Sequence, residues 1–240
     1  MRPISCWAIV VAAGKGRRLS SAKPKQFLDL AGRPLVTHAL DVLDSHPGIE
    51  GIVLAVPRGY VGWTRREIVA AGDWAKPIMT IAGGPERADT VRLALAVLPD
   101  TVRHVMIHDG VRPLLDRALL DRLLASLERH GAVVPVVPSV DTLKEVSPAG
   151  MVVRTLDRGT IMAVQTPQAF QREVIDRAFR KAGKAASRFT DCSGIVERFG
   201  GSVAVVEGSR DNLKVTTQED LLVAERLIRM GRGRPGRRGA

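Results

Sequence analysis

Short apolar runs rich in β-branched residues alternate with amphipathic stretches along most of the chain, and this alternation limits the possible folds more than any other feature. Ile9–Ala13, Ile52–Val56, Ile78–Ile81, Val105–His108, Val133–Val137 and Val203–Glu207 read as strands. Their near-continuous hydrophobicity suits strands covered on both faces. Leu35–Leu43, Glu86–Leu98, Ala118–Arg129, Val174–Lys181, Ser193–Phe199 and Gln218–Arg229 carry apolar residues at helical spacing. Pro34 and Pro85 suit first-turn positions, and Glu86 and Glu219 place acid near a helix N-terminus. The pattern predicts an α/β fold with a mostly parallel sheet flanked by helices.

One segment breaks the alternation. Asp141–Val146 and Met151–Leu156 are extended runs joined by Ser147-Pro148-Ala149-Gly150, a hairpin pattern. An apolar hairpin projecting from a complete α/β unit needs something to pack on, and a second copy of the chain is the natural partner. The expected organisation is one domain over 1–230, with an arm at about 138–160 and a disordered basic tail over 231–240.

Composition excludes several classes. With 45% hydrophobic and 25% charged residues, the chain is globular. The longest apolar run, Cys6–Ala13, is far short of the 18 or more residues a spanning helix needs, and the Gly14-Lys15-Gly16-Arg17-Arg18 stretch after it is not a signal cleavage site. Two cysteines, Cys6 and Cys192, make neither a disulfide framework nor a zinc site, so a cytoplasmic protein with free thiols is expected. The net charge is +11, and four of those charges are Arg232, Arg234, Arg237 and Arg238 of the tail. Such an excess attracts phosphorylated ligands or polyanions. A nucleic-acid role is not expected beyond weak binding by the tail, because no nucleic-acid motif appears and the single Tyr and five Phe offer few stacking platforms.

Four motifs carry chemistry. Ala12-Ala13-Gly14-Lys15-Gly16-Arg17-Arg18-Leu19 follows the first strand. Its glycines allow a sharp turn that presents amide N–H groups to an anion. Leu19 stands where a dinucleotide fingerprint wants glycine, and the P-loop spacing is absent. An ordinary strand-to-helix turn would read the same way. Lys23-Pro24-Lys25-Gln26 adds lysines to Arg17 and Arg18, a cluster suited to gripping a polyphosphate. His108-Asp109-Gly110-Val111-Arg112-Pro113 ends the fourth strand, where α/β sheets bind ligands. Asp109 there suits a ribose hydroxyl or a metal, or simply caps a turn; His108 reads as structural. Asn212-Leu213-Lys214-Val215-Thr216 places a lysine on a late extended run, a weak signal alone.

In their order, these segments resemble the 2-C-methyl-D-erythritol 4-phosphate cytidylyltransferase family. The pattern also takes in Gly83-Gly84-x-Glu86-Arg87, Asp141-Thr142-Leu143-Lys144, Asp157-Arg158 and Gln165-Thr166-Pro167-Gln168, and covers about 7–229. The resemblance implies a Rossmann-like, GT-A-like nucleotidyltransferase fold and a homodimer with interlocked hairpin arms. It implies transfer of CMP from CTP to methylerythritol phosphate with Mg²⁺, in the non-mevalonate route to isoprenoids. By similarity, Arg18 and Lys25 stabilise charge on the α-phosphate and the leaving pyrophosphate, and Lys214 and Arg158 steer the attacking group. Ala12, Ala13, Gly14, Gly16, Gly84 and the Thr90 hydroxyl hold the nucleotide. Asp109 lies at the ribose and metal side, with Mg²⁺ held mainly by the CTP phosphates. Gly110, Arg112, Thr166 and the partner arm's Thr142 and Arg158 bind the acceptor.

The pattern has departures. Pro85 replaces an acidic or polar residue common after Gly-Gly. Cys192-Ser193-Gly194 stands where an acidic residue, Ala and Ser are frequent; a small buried thiol is expected there. Met162 replaces a frequent Trp, and Gly110-Val111 a frequent Ala-Ala. A ribitol- or other polyol-phosphate cytidylyltransferase would share the CTP motifs. A sugar-1-phosphate nucleotidylyltransferase would share only the glycine loop and Pro-Lys. The sequence carries no cyclase domain after this pattern, so a monofunctional enzyme is expected.

Overall fold

The computed structural model describes residues 4–14, 23–199, 201–231 and 233. Its strands are β1 (Cys6–Val11), β2 (Asp29–Leu30), β3 (Arg33–Pro34), β4 (Ile49–Val56), β5 (Ile78–Ala82), β6 (His104–Asp109), β7 (Ala132–Pro138), β8 (Lys144–Val146), β9 (Val152–Thr155), β10 (Met162–Val164), β11 (Gln168–Gln171) and β12 (Ala204–Glu207). The helices are α1 (Leu35–Ser45), α2 (Val61–Thr64), α3 (Arg87–Ala96), α4 (Arg117–Leu127), α5 (Arg172–Ala182), α6 (Cys192–Arg198) and α7 (Gln218–Arg229). Every expected strand and helix is present, with shifted ends.

The main sheet runs β10-β7-β11-β6-β1-β4-β5, and β12 also pairs with β7. Strand β1 is parallel to β4 and β6, β4 to β5, and β12 to β7. The short strands β10 and β11 are antiparallel to their neighbours. Strand side chains alternate between two cores. Ala8 and Val10 of β1 join Leu40, Leu43, Leu119 and Leu123 on the α1/α4 face. Trp7 and Ile9 join Val91, Leu95, Ile175 and Phe179 on the α3/α5 face. A smaller cluster of Leu30, Leu35, Leu114, Val215 and Ala224 seats α7.

Several details differ from expectation. Pro34 and Pro85 are not in first turns. Pro34 is the extended N-cap of α1, and Pro85 precedes Glu86, the N-cap of α3. Side-chain capping falls instead to Asp116, Asp191 and the Thr217/Asp220 capping box. Strand β1 starts three residues early, because Cys6 already pairs with Ile49, across a register shift between Cys6 and Trp7. The hairpin of β8 and β9 is shorter than expected, with Lys144 opposite Thr155. The helical turns from Arg58 to Ala70 have no counterpart in the apolar pattern of the sequence. Among the described residues no helix is long and apolar enough to cross a membrane. The tail expectation falls outside the described residues except at Gly231 and Gly233.

Candidate active site

The carboxyl ends of β1 and β6 lie side by side, with Val11 in register with Asp109. Two glycines let the walls close around this point. A Cβ on Gly110 would come within 2.8 Å of the Ala12 Cβ, and one on Gly83 would overlap the Ala13 Cβ. Neither position has room for a larger residue without moving the loop after β1.

Asp109 is the centre of the site. It is buried, and its carboxylate is held from both sides. Arg87 Nε donates to Oδ1 at 3.1 Å, and Lys214 Nζ donates to Oδ2 at 2.7 Å. Burial would raise its pKa, but Arg87, then Lys214, outweigh this and hold it well below the usual carboxylate range. Arg87 also donates from Nη1 to the Cys192 sulfur at 3.1 Å. Cys192 is therefore the buried thiol expected of it, and burial pushes its pKa up.

Two cavities meet at this wall, sharing Arg87, Asp109 and Lys214. One, of about 180 Å³, is lined by the backbone turn Ala12, Ala13 and Gly14, by Lys25, and by Gly84, Glu86 and Thr90. The other, of about 400 Å³, is lined by Arg112, Gln165, Thr166, Thr190 and Asp191. A third depression, of about 520 Å³, lies at the far end of β6 around Arg103, His104 and Arg180, and holds none of the motif residues.

The expected residues therefore converge in part. Lys25 sits on a short 3₁₀ turn, Lys25–Phe27. The turn is anchored by Gln26 donating to the Ala12 carbonyl, and by Phe27 stacked on Tyr60 at 5.2 Å. The Thr90 hydroxyl is already used inside the loop: it accepts from Gly84 N–H at 3.0 Å and donates to the Glu86 carbonyl at 3.1 Å. It shapes Gly84 from within the lining of the narrower cavity, with one acceptor lone pair left over. Gly110 packs against Ala12 and lines neither cavity. Arg112 and Thr166 line the wider cavity. Thr142 and Arg158 lie on the exposed arm and line neither cavity. Gly16 and Arg18 lie outside the described residues.

Arg87 belongs to the Gly-Gly motif, yet the sequence pattern alone assigns it no role. A basic residue in the first turn of a helix opposes the helix dipole, so it needs an acid nearby; that is the available signal. Gln165 and Asn212 are likewise without a role in the motif reading; both are buried, and Gln165 lines the wider cavity.

His108 is structural, as expected. Its Nε2 donates to the Arg112 carbonyl at 3.0 Å, and Nδ1 takes the Thr166 hydroxyl at 3.2 Å. Burial pushes its pKa down to about 4. A histidine kept neutral in the fold protonates first in the unfolded chain. Its contribution is present above the unfolded value near 6.5 and is lost as pH falls toward 4. Burial also lowers the pKa of His38 and His46, so they add in the same direction. Urea midpoints should drop between about pH 7 and about pH 5, with His108 alone lowering the unfolding free energy by up to ~1.4 kcal/mol per pH unit. Equal midpoints at the two pH values would contradict the buried neutral assignment.

A sequence model of the 2-C-methyl-D-erythritol 4-phosphate cytidylyltransferase family matches residues 6–230. The chain is 41% identical over 227 residues to the 2-C-methyl-D-erythritol 4-phosphate cytidylyltransferase of Syntrophus aciditrophicus, covering 95% of this chain and 97% of that one. Its fold is similar to the crystal structure of 4-diphosphocytidyl-2C-methyl-D-erythritol synthase from Anaerococcus prevotii, with TM-score 0.82, 28% identity, and coverage of 95% of this chain and 99% of that one. It is also similar to the structure of 2-C-methyl-D-erythritol 4-phosphate cytidylyltransferase from Thermus thermophilus, with TM-score 0.76, 29% identity, and coverage of 94% of this chain and 100% of that one.

Proposed function

The chain belongs to the 2-C-methyl-D-erythritol 4-phosphate cytidylyltransferase family, and on that premise we propose that its two cavities divide the reaction, CTP in the narrower and the sugar phosphate in the wider. The enzyme is a nucleotidyltransferase of the non-mevalonate isoprenoid route, transferring the cytidylyl group from CTP to 2-C-methyl-D-erythritol 4-phosphate. A phosphate-monoester oxygen bonds to the α-phosphorus, the bond between that phosphorus and the bridging oxygen to the β-phosphate breaks, and pyrophosphate leaves with the electron pair.

The observation that carries the division is the wall of Arg87, Asp109 and Lys214 common to both cavities. No general base is required, because a monoester already carries about −1.5 to −2 charge at neutral pH. This suits the site. The Asp109 carboxylate is paired with two cations, and the His108 imidazole is buried and hydrogen-bonded on both nitrogens. The difficulty is bringing two anions together. Lys25, Lys214, Arg87 and Arg112 supply positive charge around the shared Asp109 carboxylate, with Arg18 of the glycine motif as a further cation. The Ala12–Gly14 turn, with Gly16 and Gly84, cradles the nucleotide through backbone groups.

Magnesium fits as a companion of the triphosphate. Among the described residues no group of three or more His, Cys, Asp or Glu could cage a metal. Asp109 is the carboxylate at the wall, and one carboxylate plus substrate phosphates is an ordinary Mg²⁺ environment. When bound, the ion would neutralise phosphate charge. Cys6 and Cys192, both free thiols and buried, fit a cytoplasmic enzyme.

The arm supports a homodimer. Val140, Val146, Met151, Val152, Val153, Met162 and Val164 are exposed on it or at its base, an apolar surface that a second copy would cover. Arg158 and Thr142 would then complete the partner's acceptor cavity. Mixing Arg158→Ala with Lys25→Ala chains under conditions that exchange subunits should restore activity to about a quarter of wild type, since heterodimers rebuild one complete site. No restoration would place Arg158 in its own protomer's site, or nowhere.

The test of the acceptor is pyrophosphate release from CTP and Mg²⁺ with methylerythritol phosphate and, in parallel, ribitol 5-phosphate. Release with the first alone is the expected result. Release with the second alone would keep the donor site and move the enzyme to polyol-phosphate activation.

A further inference from the structure

Lys214 sits on the segment between β12 and α7, outside any regular element. Its position is set by four side chains, of which Gln165 and Asn212 have no part in the roles above. The Gln165 amide grips Ser209 twice: Nε2 donates to the Ser209 carbonyl at 2.8 Å, and Oε1 accepts the Ser209 N–H at 3.1 Å. Asn212 Nδ2 donates to the Thr166 carbonyl at 2.8 Å. Arg112 Nη1 donates to the Asn212 carbonyl at 2.7 Å, and Lys25 Nζ to the Val215 carbonyl at 3.3 Å.

These bonds close a ring. Lys214 Nζ donates to Asp109 Oδ2, and the Asp109 N–H donates to Thr166 Oγ1 at 3.0 Å. The Thr166 carbonyl takes the Asn212 amide, and two residues of backbone lead back to Lys214. Asn212 is the link that joins the Lys214 segment to the β6 end. It is fully buried, and its Oδ1 has no hydrogen-bond partner among the described residues. An unsatisfied buried oxygen costs about 1–3 kcal/mol. Stability alone is a poor reason for an amide here.

We propose that Asn212 is a positioning residue for the transfer, its amide closing a hydrogen-bonded ring through Thr166 and Asp109 that sets the Lys214 ammonium at the boundary of the two cavities. The proposal rests on the transferase reading. Arg112 and Lys25 hold the carbonyls two residues before and one residue after Lys214. The acceptor-side and donor-side cations are thus referenced to the same short segment. Opening the ring at Asn212 lets the lysine drift while the nucleotide turn is untouched.

The test is a double-mutant cycle of Asn212→Ala and Lys214→Ala, with kcat, KM for the acceptor and Kd for CTP measured in each. Asn212→Ala should lower kcat by about 10- to 100-fold, the scale of a roughly 1 Å misplacement of a reacting group. Its CTP affinity should stay within about twofold. In the Lys214→Ala background the same change should cost less than about twofold, because the residue it acts through is gone. Gln165→Met, which loosens the same segment at Ser209, should repeat the pattern and serves if Asn212→Ala does not fold. Equal losses in both backgrounds, or CTP affinity falling in step with kcat, would overturn the proposal. An inactive wild type in the same assay would instead overturn the transferase reading.

Discussion

Replacing Lys25 by alanine should lower kcat by about 10²–10³-fold, the loss seen when one donor aimed at developing charge is removed. The reason is geometric. The Lys25–Phe27 turn is pinned by Gln26 on the Ala12 carbonyl and by Phe27 against Tyr60 and Trp63. Those anchors survive the substitution, so the turn keeps its shape while the cavity loses a charge and the Lys214 segment loses its bond at the Val215 carbonyl. The fold should be unaffected, with a melting temperature close to wild type. Steady-state pyrophosphate release, with circular dichroism as control, checks this. Normal turnover would remove Lys25 from the catalytic set.

The second large effect is on stability. Arg87→Ala should destabilise the protein by about 3 kcal/mol, the low end of what breaking a buried ion pair costs. Asp109 is buried and Arg87 half-buried, with side-chain exposures of 10% and 24%. The cost stays at the low end because Lys214 remains on the other carboxylate oxygen. For a chain of this size the melting temperature should fall by about 6–12 °C. Arg229→Ala is the contrast. It removes an i,i+4 pair with Glu225 whose arginine is mostly exposed, and should cost no more than about 0.5 kcal/mol. Equal effects from the two substitutions would mean that Asp109 does not depend on Arg87.

The sheet was legible because its central strands are buried on both faces. The runs in β1, β4, β6 and β7 are largely apolar, and few architectures besides a sheet covered on both sides produce that pattern. Strands β10 and β11 gave no such signal. They are three and four residues long, and β10 is exposed throughout. Their place in the sheet comes from pairing with β7 and β6, which no local pattern announces. The same holds for the site. Lys25, Asp109 and Arg112 are marked by a glycine turn and a strand end, whereas Lys214 stands out only through the order of the motifs. The pairing of Asp109 with Arg87 spans 22 residues, and that with Lys214 spans 105. A spacing rule cannot reach so far. The bonds of the Thr90 hydroxyl are hidden for a related reason: its partners, Gly84 and Glu86, are close in sequence but meet it only once α3 starts at Arg87.

The place of β11 between β6 and β7 has a consequence for how the molecule comes into being. During synthesis β6 and β7 emerge first, yet they are not neighbours in the finished sheet. A slot one strand wide must stay open, or be filled wrongly, until residue 171 has left the ribosome. Lys214 emerges later still, so the growing chain carries Asp109 with Arg87 and Arg112 nearby but without its second ion-pair partner. A chain released early from translation therefore lacks more than its missing residues: its sheet has a gap in the middle and its central carboxylate is half-compensated. Such fragments expose unpaired strand edges of the kind that aggregate.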